Sequence, residues 1–275
     1  MIITIQCHDR VGLVAQIAQL LAEKNINIIS MREFVDTQNN NFFARLDVEQ
    51  SEESAAIYQA LQQALPPDAT IKVNPQSQKK IVVLVSKEYH CLSDILVRNH
   101  FNTLGASVQC VVGNHVILEE ICHRFNVPFH YVNHEKKDKA TFEQELTDVV
   151  APYNFDFLVL AKFMRILSPS FVSRFVNQIV NIHHSFLPAF IGASPYRQAH
   201  QRGVKLIGAT AHFVTNDLDE GPIIAQQTMP VTHTYQPEDM VRTGKEIETA
   251  VLIKALQSLF ADRVFVYDNK TIVFD

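Results

Sequence analysis

Between residues 81 and 182 the chain alternates short runs that are apolar along their whole length with longer stretches of helical period. The runs are 81–85, 108–112, 129–132, 157–160 and 179–182, and the helical stretches lie around 92–104, 115–125, 139–150 and 169–176. A strand with no polar side is buried on both faces, and parallel neighbours need a crossover that a helix supplies. The pattern therefore predicts an α/β fold with a doubly wound, mostly parallel sheet and helices on both faces. Strands near 206–214 and 223–231 and a long helix over 237–260 extend it.

The chain before this region follows another plan. A β-like run at 2–7 precedes Asp9, and Val11, Leu13, Val14, Ile17, Leu20 and Leu21 then recur at helical spacing. Two strand candidates, 26–35 and 42–48, flank a turn-rich segment. A helix from about 51 to 65 is stopped by Pro66 and Pro67, and 70–73 reads as a last strand. The order β-α-β-β-α-β is the ferredoxin-like plan. The polar, proline-containing stretch that follows lacks apolar periodicity. We expect a domain over 1–74, a linker over 75–80 and a second domain over 81–275.

Composition narrows the function classes. A formal net charge of -5 argues against a dedicated nucleic-acid surface. No apolar run approaches the ~20 residues of a membrane span, so no membrane partner is expected. The N-terminus meets a charged residue too early for a secretory signal. Cys7, Cys91, Cys110 and Cys122 form no C-x-x-C pair. A reduced, cytoplasmic location is the expectation. The 12 histidines show neither H-E-x-x-H nor H-x-H spacing, so metal-free chemistry is expected.

In open α/β sheets ligands bind beyond the carboxyl ends of the strands. The run at 179–182 ends in Asn181-Ile182-His183-His184-Ser185-Phe186-Leu187-Pro188. Two residues apart on a strand, Asn181 and His183 leave the same face. An amide donor beside a titratable imidazole suits holding a carbonyl oxygen while a proton moves. An isolated N-x-H also fits a hydrogen-bonded strand terminus. His184 is the weaker neighbour, as readily exposed as functional. Further on, Gly208–Thr215 leads into Asn216-Asp217-Leu218-Asp219-Glu220-Gly221-Pro222, a loop in which Asp219 can turn inward toward an imidazole or remain solvated.

Taken together, Asn181-Ile182-His183, Ser185-Phe186-Leu187-Pro188, Ala211-His212-Phe213-Val214 and Leu218-Asp219-Glu220-Gly221-Pro222 resemble the formyltransferase family that uses 10-formyltetrahydrofolate. Phe163-Met164-Arg165-Ile166-Leu167-Ser168 is similar to that family's folate-binding segment, and the chain as a whole resembles its deformylase branch. The resemblance implies hydrolysis of 10-formyltetrahydrofolate to tetrahydrofolate and formate, feeding purine synthesis and balancing one-carbon pools. By position it makes Asn181, His183 and Asp219 catalytic. It places Met164, Arg165, Ile166 and Leu167 at the pteridine, through backbone groups as much as side chains, with Thr210 and His212 as pocket or supporting residues. Folate is then the substrate, and no separate cofactor is implied.

The first 74 residues resemble an ACT domain, a module that often binds amino acids. Asp9-Arg10-Val11-Gly12-Leu13-Val14 is its turn into the first helix, with Asp9 as the expected cap and Gly12 allowing close backbone approach. Asp9, Arg10 and Gly12 are the candidate regulatory-ligand residues. The same turn also fits a capped helix used only for packing in a homo-oligomer.

Transferases of the family that act on glycinamide ribonucleotide carry a glycine-rich loop after the first strand. Here that place reads Ser86-Lys87-Glu88-Tyr89-His90-Cys91-Leu92-Ser93, without glycine. Bulky Tyr89, His90 and Leu92 are expected to fill the second-substrate space, although Ser86, Lys87 and Ser93 could still hold an anion. Formyl transfer to such an amine is the first rival. A non-catalytic folate or amino-acid sensor is the second.

Overall fold

The computed structural model describes residues 1–74, 78–189 and 195–275. Two compact units emerge: 1–77 with 258–265 and 272–275, and 78–257 with 266–271. Two short stretches of the tail thus group with the first unit, whereas the sequence suggests a second domain that runs unbroken to 275. The linker reading at 75–77 lies outside the described residues, while Lys79 and Lys80 already belong to a strand.

The first unit holds β1 (Ile2–His8), α1 (Leu13–Glu23), β2 (Ile28–Asp36), β3 (Asn41–Val48), α2 (Ser54–Ala64) and β4 (Thr70–Asn74). Its antiparallel sheet has the order β2-β3-β1-β4. Alternation puts Ile3, Ile5 and Cys7 of β1 on the helix side, where Leu13, Ile17 and Leu21 of α1 and Ile57 and Leu61 of α2 meet them. Each such fully buried Leu or Ile contributes about 1.5–3 kcal/mol. On the other face Phe43 packs edge-on against Phe265 of the tail, with ring centroids 5.8 Å apart. Arg45 donates two hydrogen bonds to the Ala261 carbonyl, at 3.0 and 2.9 Å.

The turn into α1 corrects two expectations. Asp9 caps nothing: Gly12 is the N-cap, and no side chain bonds to the helix start. The Asp9 backbone is tied to Asn40 on both sides, and Arg10 reaches Gln16 and the Ala64 carbonyl. Gly12 is needed for its left-handed backbone, φ +92°, and not for close approach, since an added Cβ would meet nothing within 4 Å. Val11 lies outside the helix and is fully exposed.

The second unit contains β5 (Lys79–Val85), α3 (His90–His100), β6 (Ala106–Gly113), α4 (Glu119–Arg124), β7 (Phe129–Tyr131), α5 (Lys139–Val150), β8 (Phe157–Leu160), α6 (Pro169–Val172), β9 (Ile179–His183), α7 (Pro195–Arg202), β10 (Leu206–Phe213) and β11 (Ile223–Pro230). The long helix α8 (Pro237–Phe260) and the hairpin β12 (Val264–Tyr267) and β13 (Lys270–Val273) follow. The seven-stranded sheet runs β11-β10-β9-β8-β5-β6-β7. β5 to β9 are parallel, and β10 and β11 are antiparallel additions. The chain fills one side through β6 and β7, then returns beside β5 with β8, so the order reverses between β5 and β8. That reversal opens a crevice beyond the strand ends. Val82, Leu84, Leu158 and Leu160 are buried with Phe142 and Leu146 of α5. None of the described helices is long and apolar enough to cross a membrane.

Candidate active site

β9 lies between β8 and β10, and its Ile179, Val180 and Ile182 are buried on both sides. It delivers Asn181 and His183 to the crevice. β10 supplies the residues opposite them: His212 pairs with Asn181 in register, and Thr210 with His183.

This register fixes the Asn181 amide. His212 Nδ1 is 2.8 Å from the Phe213 carbonyl, which only accepts, so that nitrogen carries the proton. Its Nε2 then accepts from the Asn181 amide at 3.2 Å, leaving the second amide hydrogen for a ligand. Burial pushes the His212 pKa down, outweighing the Phe213 carbonyl and the Asp219 charge, which favours this neutral form. His212 thus supports Asn181. Thr210 does not reach the pocket wall: it is wholly buried, accepts from the Leu187 N–H and the Gln226 amide, and donates to the Ser185 carbonyl.

The acidic loop brings Asp219 inward. Its backbone is left-handed, φ 58°, and the close approach of Gly221 to β10 makes this turn possible. A Cβ on Gly221 would sit 1.8 Å from the Phe213 carbonyl oxygen. Asp219 Oδ1 lies 3.3 Å from His183 Nδ1 and 3.9 Å from His212 Nε2. Burial raises the Asp219 pKa, but the hydrogen bond and charge of His183, with His212 and His184, hold it below the ordinary value. His183 itself is buried, and among the described residues its Nε2 has no hydrogen-bond partner.

These groups open into a cavity of about 660 Å³ whose apolar walls include Phe163, Met164, Ile166, Leu167, Val214 and Leu218. Arg165 also lines it. Met164 and Ile166 present exposed side chains. Their backbone is less available than the sequence suggests. The Met164 N–H is taken by Ser86 Oγ at 3.0 Å and the Arg165 N–H by the Phe163 carbonyl at 2.9 Å. Buried Glu143 accepts from the backbone N–H of Ser168 at 2.6 Å and also from its hydroxyl. The segment is pinned at both ends, and side chains form the wall.

Sequence reasoning missed a second polar layer. Glu248 of α8 accepts from the Tyr196 hydroxyl at 2.8 Å and lies 2.8 Å from His90 Nε2 and 3.0 Å from Lys162 Nζ. Burial alone would raise its pKa, but these partners bring it down to about 2. Its only trace in the sequence is an acid facing an apolar helix side. His184, ranked low from sequence, lines the pocket beside Tyr196. Burial, helped by the Lys162 charge, lowers its pKa to about 4.

His90, Cys91 and Glu248 offer ligand atoms within 4.8 Å of one another, a clustering that spacing did not reveal. The set does not fit a metal. The Lys162 ammonium already occupies the carboxylate, and burial pushes the Cys91 thiol far above its ordinary pKa. Of the residues expected to fill a second-substrate space, Leu92 is in the core, Tyr89 is exposed, and only His90 turns inward. Ser86 is buried and engaged with Met164, not open to an anion.

The formyl transferase family model matches residues 79–256 and the ACT domain model residues 1–66. A formyltetrahydrofolate deformylase of Haemophilus influenzae is 46% identical over 272 residues, covering 99% of this chain and 98% of its own. The crystal structure of a formyltetrahydrofolate deformylase from Pseudomonas syringae superposes with a TM-score of 0.95 at 39% identity, covering 100% of this chain and 94% of that one. A glycinamide ribonucleotide transformylase from Symbiobacterium toebii is similar at 30% identity and a TM-score of 0.69, over 72% of this chain and 95% of its own. An ACT module joined to a formyl transferase unit, matched end to end by such relatives, assigns the chain to the formyltetrahydrofolate deformylase family.

Proposed function

We propose that this chain hydrolyses 10-formyltetrahydrofolate to tetrahydrofolate and formate. The observation that carries the reading is His183 Nε2, buried and without a hydrogen-bond partner among the described residues, in a cavity of about 660 Å³ that Asn181 also lines. An unpaired buried polar atom costs about 1–3 kcal/mol, a cost that a ligand at this point relieves.

The formyl oxygen faces the free Asn181 N–H and His183 Nε2, and Asp219 orients water toward the formyl carbon. Water adds and gives its proton to His183 Nε2, and the oxyanion is held by Asn181 and the His183 imidazolium so formed. The bond to N10 then breaks, the imidazolium returns the proton to N10, and formate leaves. Met164, Arg165, Ile166 and Leu167 bind the folate, with His212 and Thr210 supporting the site. The folate is substrate, and this reading calls on no separate cofactor.

We assign 1–74 as a regulatory domain and the unit that begins with β5 as the catalytic one, in a cytoplasmic homo-oligomer with an amino-acid effector near Asp9, Arg10 and Gly12. The ACT match supports this part. Formyl transfer to an amine is the second reading, favoured by the likeness of the catalytic unit to a glycinamide ribonucleotide transformylase. Incubation of the purified protein with 10-formyltetrahydrofolate alone is the test. Formate release without an acceptor is expected. Turnover that requires an amine would promote the transferase, and no turnover would leave a sensor.

A further inference from the structure

Glu248 is 1% exposed, yet it joins side chains that face two different spaces. Lys162 and Tyr196 line the active-site pocket. His90 lines a neighbouring cavity of about 550 Å³, together with Tyr89, Arg242 and Lys245. Val241 borders both. The partition is therefore the His90–Glu248–Lys162/Tyr196 network.

His90 is the part of it that faces the second cavity. A carboxylate only accepts, so His90 Nε2 donates to Glu248 at 2.8 Å. Its Nδ1 is buried without a hydrogen-bond partner among the described residues and lies 3.8 Å from Glu88 Oε2. One charge-assisted hydrogen bond and packing hold the ring. Toward the reacting centre, the His184 ring lies 6.2 Å from Tyr196 and 5.1 Å from His183. A molecule in the second cavity is thus a few side chains from the formyl group. The cavity can hold a body of many atoms, and its rim is polar, with Arg242 paired to Asp239 and Lys245 to Glu88. Water needs no such room.

We propose that His90, latched by Glu248, is a specificity-determining side chain that closes the second cavity off from the formyl group and so reserves that group for water. This rests on the hydrolase reading and names what enforces it. With the latch open, a primary amine in the cavity attacks the formyl carbon. The carbon–N10 bond breaks, N10 takes the proton the amine loses, and an N-formyl amine and tetrahydrofolate result with no further reagent. Removing the ring leaves Glu248 paired with Lys162 and Tyr196, so the buried charge keeps its counter-ion.

The test supplies the full-length protein with 10-formyltetrahydrofolate and excess glycinamide, and measures formate and N-formylglycinamide by mass spectrometry. The wild type is expected to give formate nearly alone. His90→Ala should raise the ratio of formylated amine to formate by about tenfold or more, the scale on which a reshaped pocket discriminates. Glu246→Ala, which alters the rim and leaves His90 and Glu248 in place, should leave the ratio at its wild-type value. His90→Ser, too short to reach Glu248, carries the test if His90→Ala loses its melting transition. A folded, formate-releasing variant of either kind with the wild-type ratio overturns the proposal, as does a wild type that formylates glycinamide equally well. Formate release by the wild type without amine is scored separately, so failure of the hydrolase reading is distinguishable from failure of the latch.

Discussion

Acid should destabilise this protein through His184, by an amount that follows from its surroundings. The ring is mostly buried beside Tyr196 and His183, with Lys162, Glu248 and Asp219 as the other charged groups facing it. Burial and the Lys162 charge lower its pKa from 6.5 to about 4, against the opposing pull of Glu248 and Asp219. Between those values the unfolded chain binds a proton that the folded chain refuses. Stability therefore rises with pH through this window and is lost as pH falls below 6.5 toward 4. At 1.36 kcal/mol per pH unit, moving from neutrality to pH ~5 costs about 2 kcal/mol, and about 3 kcal/mol is lost by pH ~4. His184→Gln removes the titrating group while keeping a polar side chain. Urea unfolding of both proteins, followed by circular dichroism at neutral pH and pH ~5, should show the variant losing about 2 kcal/mol less than the wild type. His212, also lowered by burial, contributes acid sensitivity to both and cancels in the comparison. Equal losses in the two proteins would refute the argument that His184 is kept neutral by its burial.

Five other outcomes are expected. Asn181→Ala should cut turnover ~10²–10³-fold, the usual loss for one oxyanion donor, and Asp219→Asn should do at least as much with little change in melting temperature; near-normal turnover in Asp219→Asn would remove it from the mechanism. Gly221→Ala forces the loop off the Phe213 carbonyl, so turnover should fall with Asp219 displaced, and full activity would contradict the loop's role. Glu143→Ala strands the Ser168 N–H, costs about 1–3 kcal/mol of stability and should raise KM more than it lowers kcat; steady-state kinetics with unchanged KM would count against the pinned folate segment. The first unit should self-associate and pass an amino-acid signal: a monomer by light scattering, together with no amino acid changing activity or melting temperature, would reject this.

Much of the fold and part of the site were legible because they depend on local pattern. Apolar runs and helical periods marked the βαββαβ unit and the parallel strands, since burial of a strand or helix face must be written in its own residues. The helices over 139–150 and 237–260 were read to the residue, whereas α7, with its polar composition, and the β12–β13 hairpin, with its very short strands, were not. Asn181 and His183 were readable as a pair because strand alternation puts residues two apart on one face.

What joins β9 to β10 was beyond such reading. Antiparallel register sets His212 against Asn181 and so decides which amide hydrogen is free, while the approach of Gly221 to Phe213 turns Asp219 inward. The Asp9 cap was misread because chain order suggests a cap wherever an acid precedes a helix, but the backbone places Gly12 there. Glu248 lies 86 residues from Lys162 and 158 from His90, and no periodicity links them. The sequence by itself determined most of the elements, the family and the strand-end pair. Only the tertiary structure decided which distant charges meet, because burial makes a lone charge costly and the fold alone supplies the partners that make it tolerable.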